Sequence, residues 1–164
     1  MVEFLLRRAG VLEGAGLRFR VAFGRAGITA HKTEGDGATP SGVLPLLRVL
    51  YRADRTRKPD CAVPVEPIAP NDGWCDDPAD PAYNRQIRLP HPARHEILWR
   101  DDGLYDIVGV LGWNMSPVVP ERGSAIFLHV APENGAPTAG CIALALPELH
   151  RILAVGLTGI RVIG

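Results

Sequence analysis

Two short apolar stretches, joined by a loop broken by proline and glycine, constrain the fold of this chain more than any other feature. Residues 126–130 read as an apolar strand that carries His129 near its end, and residues 141–144 read as a second apolar strand that begins at Cys141. Two strands joined by such a loop can lie side by side. We therefore expect the imidazole of His129 and the thiol of Cys141 to meet across neighbouring strands.

A cysteine beside a histidine is the arrangement of a nucleophile with its base, and the reaction it serves is acyl transfer. A free thiol has a pKa of about 8.5, which a neighbouring imidazolium lowers by roughly one to five units. The thiolate attacks a carbonyl, and we expect the backbone N–H groups of Gly140 and Cys141, with that of Ala139, to bind the oxyanion that forms. The alternative is structural: Cys141 is a small buried hydrophobic residue and His129 a hydrogen-bonded core histidine.

The same residues resemble the signature of the L,D-transpeptidase catalytic domain family. That signature is a histidine at a strand end, a loop, and then Ser/Thr-x-Gly-Cys-Ile/Val, which Thr138-Ala139-Gly140-Cys141-Ile142 matches. A second family element, Thr-Pro-x-Gly, is matched by Thr39-Pro40-Ser41-Gly42, and residues 74–78, 83–84 and 112–114 resemble one branch of the family. The resemblance runs from about residue 17 to the end of the chain.

The resemblance implies a fold and a set of substrate contacts. The fold is mainly β with one or two helices, built as two packed mixed β-sheets with the cleft at their edge, and residues 1–164 form a single L,D-transpeptidase-like catalytic domain. The substrate-binding residues that it implies are Tyr83, His95, Asn114, Thr138 and Ala139. For Tyr83 a structural role in its loop is an equal alternative, and His95 suits the protein surface as well as the cleft.

Two elements of the site are missing from the sequence pattern. The arginine that usually follows Gly-Cys-Ile in the family is Ala143 here, so its role is absent or supplied from elsewhere. A catalytic histidine also needs a partner that fixes its tautomer. Because Val130 follows His129, no adjacent side chain can serve, and we expect a main-chain carbonyl in the 131–139 loop to do so.

Composition agrees with one compact domain and excludes some classes of partner. The chain has 164 residues, 46% of them hydrophobic, and its formal net charge is zero, so no nucleic-acid footprint is present. The 18 glycines and 15 prolines are typical of a turn-rich β domain. No apolar run reaches the length of a membrane span, and no export signal is visible. We therefore expect a cytoplasmic protein, or a periplasmic one if an export segment is missing from this chain; the oligomeric state is not indicated.

Hydrophobic patterns predict the individual elements. Residues 4–7 and 17–23 are expected to form an opening hairpin around residues 13–14, and residues 42–51 a strand with a proline that indicates an edge or bulge. Residues 52–86 read as a long excursion. Further strands are predicted at 87–89, 96–99, 105–111 and 160–163, and a helix is predicted from Pro147 to Gly156.

No cofactor and no metal site are predicted. His91 and His95 are four residues apart, a spacing that suits zinc binding on a helix, but Pro90 and Pro92 disfavour a helix there. Cys61 and Cys75 are equally suited to a disulfide in an exported protein and to free thiols.

The resemblance implies a cysteine-dependent enzyme that acts on peptidoglycan stem peptides or soluble muropeptides. Cys141 attacks the carbonyl of the diamino acid at position three and expels D-alanine from position four, leaving a thioester acyl-enzyme. Hydrolysis of the thioester gives an L,D-carboxypeptidase of muropeptide recycling, whereas attack by an amine gives a 3–3 crosslink in the cell wall. The absence of an export signal and of an arginine at position 143 favours hydrolysis. A muropeptide-binding module without turnover and a thiol hydrolase of an unrelated amide or ester stay open.

Overall fold

A computed structural model describes all residues, 1–164, and shows fourteen strands and one helix. The elements in chain order are β1 (Val2–Arg7), β2 (Val11–Gly14), β3 (Leu17–Arg20), β4 (Ile28–Thr29), β5 (Thr39–Pro40), β6 (Gly42–Tyr51), β7 (Val65–Pro67), β8 (Asp72–Cys75), β9 (Gln86–Arg88), β10 (His95–Ile97), β11 (Ile107–Leu111), β12 (Phe127–Val130), β13 (Ile142–Leu144), α1 (Leu146–Ala154) and β14 (Leu157–Ile163). No helix is long and apolar enough to cross a membrane.

The principal sheet is a path of strands in the order β13-β12-β11-β6-β14-β1-β2-β3, with β7 added beside β6. The ten-residue strand β6 belongs to both halves of this path. Its first part pairs with β14, and its later part pairs with β11 and β7. Parallel pairs occur in both halves, β1 with β14 in one and β12 with β13 in the other, among antiparallel neighbours. Both halves are therefore mixed.

The two ends of this path meet, which covers the edge strand that follows Cys141. Ala22, just after β3, exchanges two backbone hydrogen bonds with Ala143 of β13, at 2.8 and 2.9 Å. The N–H of Thr138 donates to Phe23 O, and Arg25 N–H donates to Thr138 O, both at 2.9 Å. An unpaired strand edge is thereby avoided, and the loop before Cys141 is tied to the N-terminal strands.

One apolar core joins both halves of the sheet to the helix. It contains 19 buried residues, from Phe4 and Leu6 of β1 to Leu128 of β12. Helix α1 begins with a proline in its first turn and adds Leu149, Ile152 and Leu153, spaced for a single face and fully buried. Burial of each such side chain stabilises the fold by about 1.5–3 kcal/mol.

A second layer covers the opposite face of β11 and β12. The three-stranded sheet β10-β8-β9 lies there, and its Trp74 packs edge-on against Phe127 with ring centroids 5.0 Å apart. Cys141 belongs to this second apolar cluster together with Tyr105 and Val108. The region around Cys141 is thus enclosed between the main sheet and the segment that precedes β11.

The fold class predicted from the sequence is confirmed: the protein is mainly β, with mixed sheets and a single helix. The predicted opening hairpin is wrong, because residues 13–14 lie in a strand, β2, which pairs with β1 on one side and β3 on the other. The predicted excursion at residues 52–86 contains two strands, β7 and β8. The high content of proline and aspartate in this segment hides the sequence pattern of these strands. The helix begins one residue before Pro147 and ends at Ala154.

Candidate active site

The strand register brings His129 and Cys141 to one face of the sheet. Strands β12 and β13 are parallel, and His129 lies opposite Ala143. Cys141 precedes Ala143 by two residues, so in an extended chain the two side chains point to the same side. Both His129 and Cys141 line the same cavity. The two side chains therefore open to one cavity, as expected, but no hydrogen bond joins the imidazole to the thiol.

The thiol of Cys141 is held in an enclosed, largely apolar position. Its sulfur accepts the N–H of Phe127 at 3.4 Å and donates to Ala125 O at 3.2 Å. It makes no hydrogen bond to His129 in this state. Burial raises the pKa of the Cys141 thiol to about 12, and the negative charge of Glu96 acts in the same direction. The resting group is therefore a thiol, because the imidazole beside it carries no charge to stabilise a thiolate.

The imidazole of His129 is oriented by the main chain. Its Nδ1 lies 2.8 Å from Val130 O, so a proton on Nδ1 donates to that carbonyl and Nε2 is left with its lone pair. The ring of Tyr105 packs edge-on against the imidazole, with centroids 5.3 Å apart. Burial lowers the pKa of His129, which keeps it neutral and able to accept a proton near pH 7. The orienting group is a carbonyl, as predicted, but it belongs to Val130 and not to the 131–139 loop.

The turn before Cys141 leaves two of the predicted oxyanion donors free and occupies the third. The Thr138 hydroxyl accepts the N–H of Gly140 at 3.1 Å and donates to Cys141 O at 2.6 Å, which closes the turn onto itself. Gly140 N–H is thus occupied, contrary to the prediction. The N–H groups of Cys141 and Ala139 have no hydrogen-bond partner within the protein, so these two are the free donors at this place.

A hydroxyl of the second sequence element holds this turn from behind. Thr39 Oγ1 donates to Gly140 O at 2.8 Å and accepts the N–H of Gly24 at 2.9 Å. Gly140 has φ +144°, and a Cβ at that position would lie 2.8 Å from Ala38 O. Glycine is therefore required by the close approach of the Ala38 backbone and by the backbone conformation, and not by a ligand.

The cavity has a volume of about 300 Å³ and one wall that is acidic. Glu96 and Glu34 line it, and both carboxylates accept hydrogen bonds from neutral hydroxyls: Tyr105 donates to Glu96 at 3.3 Å, and Tyr83 donates to Glu34 at 2.6 Å. Burial raises the pKa of Glu96 to about 7, and the charge of Asp76 adds to this effect.

The cations of the cavity already have partners of opposite charge. Lys32 is paired with Asp36 at 2.5 Å, and Arg100 is paired with Asp102. Neither cation forms an ion pair with Glu34 or Glu96, although the positive charge of Arg100 acts on Glu96. Cationic groups of a ligand therefore find a favourable electrostatic environment beside Glu34 and Glu96.

Comparison with known proteins gives the same family as the sequence signature. The family model of the YkuD L,D-transpeptidase catalytic domain matches residues 7–163. The chain belongs to this family.

A solved structure with a similar path of the chain is the helical cell shape determining protein Pgp2 of Campylobacter jejuni, in a point-mutant form. It is 15% identical, with a TM-score of 0.44, and the match covers 98% of this chain and 46% of that chain. This L,D-transpeptidase-family chain therefore spans less than half the length of Pgp2. No curated protein matches it significantly.

Of the substrate-binding residues implied by the resemblance, two line the cavity of this L,D-transpeptidase-family domain and three do not. Thr138 and Ala139 lie in its wall. Tyr83 is buried behind that wall, where its hydroxyl donates to Glu34 and accepts the N–H of Gly123 at 3.0 Å. The hydroxyl of Tyr83 is therefore not placed to contact a ligand in this cavity. It instead holds the carboxylate of Glu34, which does line the cavity.

His95 and Asn114 also have structural surroundings outside the cavity. His95 lies in β10 opposite Cys75, and its Nδ1 is 2.7 Å from Ala93 O. Asn114 closes its own loop: its amide donates to Val119 O and Gly123 O, both at 2.9 Å. The side-chain amide satisfies this turn, which leaves no free group for a substrate.

Sequence reasoning missed the polar residues that segments distant from Cys141 in the chain bring to the cavity. Glu34, Glu96, Arg100 and Tyr105 come from three segments distant from Cys141 in the chain. Alternation around residue 96 identifies a strand but not the direction in which the carboxylate points. Asp76 also lines the cavity and accepts a hydrogen bond from Arg94 at 3.1 Å.

The remaining predictions concern Ala143 and the other cysteines. Ala143 is fully buried beside His129, so the arginine of the family signature has no counterpart there, and Arg100 is a cation that reaches the cavity from another segment. Cys61 and Cys75 are free thiols, so the disulfide alternative is wrong.

Proposed function

We propose that the protein catalyses acyl transfer on peptidoglycan stem peptides through a thioester on Cys141. The observation that carries the proposal is the arrangement of His129: its Nδ1 is held by Val130 O, and its neutral ring lines the same cavity as the thiol. The structural alternative does not explain why an enclosed cysteine and a tautomer-fixed histidine open to one cavity. Membership of the L,D-transpeptidase family supplies the substrate class.

In the proposed reaction the proton of the Cys141 thiol moves to Nε2 of His129 as sulfur attacks the carbonyl of the diamino acid at position three. The oxyanion of the tetrahedral intermediate is bound by the free N–H groups of Cys141 and Ala139. The imidazolium then returns its proton to the departing amine of D-alanine. Because the thiol starts protonated, the barrier includes this proton transfer, and the Cys141 sulfur leaves its hydrogen bond to Ala125 O as it reacts.

The thioester has two proposed fates. Hydrolysis, which the sequence favours, makes the protein an L,D-carboxypeptidase that releases D-alanine from soluble muropeptides; a cytoplasmic location is part of this proposal and is tested by fractionation of native cells. Attack by an amine makes it an L,D-transpeptidase. The acidic wall supports the second fate, because the Glu34 carboxylate, which is paired only with hydroxyls, and the ionised fraction of Glu96 attract the ammonium group of an acceptor.

Product analysis tests the proposal. Purified protein is incubated with a tetrapeptide muropeptide, with and without an added amine acceptor, and the products are identified by mass spectrometry. Release of D-alanine that is lost in Cys141→Ala and kept in Cys61→Ala supports acyl transfer by Cys141. An unchanged muropeptide that binds the protein points to the muropeptide-binding module, and turnover only of unrelated amides or esters points to the general thiol hydrolase.

The ratio of the two products assigns the fate of the thioester. Tripeptide as the main product in the presence of acceptor supports hydrolysis, whereas crosslinked dimer contradicts it. Glu34→Gln keeps an oxygen that accepts from Tyr83 but removes the charge. If the acidic wall binds the acceptor, this variant lowers the share of crosslinked dimer and leaves D-alanine release unchanged.

A further inference from the structure

A cluster of three potential metal ligands lies outside the candidate active site, at one end of the β10-β8-β9 sheet. The cluster consists of Cys75, Asp80 and His91, whose sulfur, carboxylate oxygen and ring nitrogen lie within 4.8 Å of one another. None of the three lines the cavity of Cys141. They come from different segments: the end of β8, the turn that follows it, and the turn between β9 and β10.

The ring nitrogen of His91 points into this cluster without a hydrogen-bond partner. Its Nε2 is inaccessible to solvent and lies 3.4 Å from Asp80 Oδ2. A buried polar atom without a hydrogen-bond partner costs about 1–3 kcal/mol, and Asp80 offers this nitrogen only a contact at 3.4 Å, so a cation bound here would lower that cost.

The other two groups are held ready for a cation. Asp80 Oδ1 accepts the N–H of Ala82 at 2.7 Å, which fixes the carboxylate with its other oxygen toward His91. Cys75 is fully buried at the end of β8, and its sulfur lies within 4.8 Å of both the Asp80 oxygen and the His91 nitrogen. The three donor atoms thus converge on one place.

We propose that Cys75, Asp80 and His91 bind one Zn²⁺ ion. Thiolate, imidazole and carboxylate are zinc ligands, and the first two are poor ligands for calcium or magnesium. Bond lengths of 2.0–2.3 Å in a tetrahedral site place the ligand atoms roughly 3.3–3.7 Å apart. The separation of 3.4 Å between His91 Nε2 and Asp80 Oδ2 already falls in this range.

Binding forms three metal–ligand bonds and releases the proton of the Cys75 thiol to solvent. The fourth position of the tetrahedron is left to water. Asp76 follows Cys75 directly and lines the cavity of Cys141. The bound ion therefore stabilises a segment that contributes a lining residue to that cavity. Its role is structural and independent of the acyl-transfer proposal.

Cobalt titration of the metal-free, full-length protein tests the site. Co²⁺ bound in a tetrahedral site with a thiolate ligand gives visible d–d bands and a sulfur-to-cobalt charge-transfer band in the near ultraviolet, and added Zn²⁺ displaces both. We expect these bands at one ion per chain, with a rise in Tm on Zn²⁺ addition. His91→Ala and Asp80→Asn, which are chosen because neither opens the apolar core, weaken binding at least about tenfold, and Cys75→Ser abolishes the charge-transfer band.

Two control variants separate this site from the other thiols. Cys61→Ser and Cys141→Ala should bind cobalt as the unmodified protein does, with the same bands. Absence of the bands from the unmodified protein overturns the proposal, as does their persistence in His91→Ala. Loss of the bands in Cys141→Ala also overturns it, because the metal would then occupy the candidate active site.

Discussion

The ionisation of Cys141 offers a direct test of how the candidate nucleophile is activated. Burial, reinforced by Glu96, raises its pKa to about 12, whereas a free thiol titrates near pH 8.5. A difference of about three and a half units lowers the thiolate fraction at pH 8 by a factor of roughly 10³. The resting pair is therefore a thiol and a neutral imidazole, and in the proposed reaction proton transfer accompanies attack on the substrate.

The assay is the rate of alkylation of Cys141 by iodoacetamide as a function of pH, read by peptide mass spectrometry with N-acetylcysteine as the reference. Burial slows the reagent at every pH, so the midpoint of the pH profile, and not the absolute rate, reports the pKa. We expect the Cys141 rate to rise without a plateau up to pH 10, which places the midpoint above that pH. Glu96→Gln should steepen the rise between pH 6 and pH 10, because it removes a negative charge that forms over this range. A midpoint below about 8.5 that rises in His129→Ala would refute the reasoning, since it would indicate a preformed thiolate–imidazolium pair.

Three further substitutions test the surroundings of the site. The raised pKa of Glu96, about 7, means that its contribution to the free energy of unfolding is present below pH 4.5 and lost as the pH rises through 7. Glu96→Gln should then stabilise the protein by up to about 3 kcal/mol at pH 8 and hardly at pH 4.5, and equal effects in urea unfolding at both values would contradict this. Thr39→Val leaves Gly140 O and the N–H of Gly24 without a partner, and should lower the free energy of unfolding by about 2–5 kcal/mol in the same assay. Thr39→Ser keeps the hydroxyl and should lower it by less than about 1 kcal/mol. Gly140→Ala meets Ala38 O at 2.8 Å and an unfavourable φ, so we expect a loss of about 2–4 kcal/mol with lower acylation of Cys141; a stable, fully active variant would show that this turn is not required.

The sequence predicts the central strand pair because its signals are local. An apolar run, a turn-rich loop and a second apolar run specify two neighbouring strands, and side-chain alternation then decides which residues share a face. His129 and Cys141 follow from this pattern alone. The signals for helix α1 (Leu146–Ala154) are equally local, since proline, an acidic first turn and a glycine shortly after the last turn mark both of its ends.

The rest of the site depends on contacts between distant segments, which no local pattern encodes. Glu96 and Tyr105 reach the cavity only because the β10-β8-β9 sheet folds over β11 and β12. Asn114 was expected to contact substrate, but its amide can satisfy either a ligand or its own turn, and only the course of the chain selects the turn. The same limit applies to Gly140, whose N–H is taken by a hydroxyl two residues away.

Short strands inside polar stretches were missed for a related reason. Strand β8 is buried along its whole length although it begins with Asp72, because that carboxylate accepts the N–H of Ala69 at 2.7 Å and lies 3.5 Å from Arg88. A charged residue with such partners does not prevent burial of a strand. Composition therefore predicts an irregular excursion at residues 52–86, whereas the structure has strands there, one of which belongs to the sheet that covers the site.

The most direct test of the account is the mass of the protein during turnover. Protein incubated with a tetrapeptide muropeptide is quenched in acid and weighed intact, and the modified peptide is identified after digestion. We predict an added mass equal to the mass of the substrate minus the mass of free D-alanine. This adduct should lie on Cys141, and it should be present in Cys61→Ala and absent from Cys141→Ala. An unmodified Cys141 in protein that releases D-alanine, or an adduct on another residue, would contradict the account.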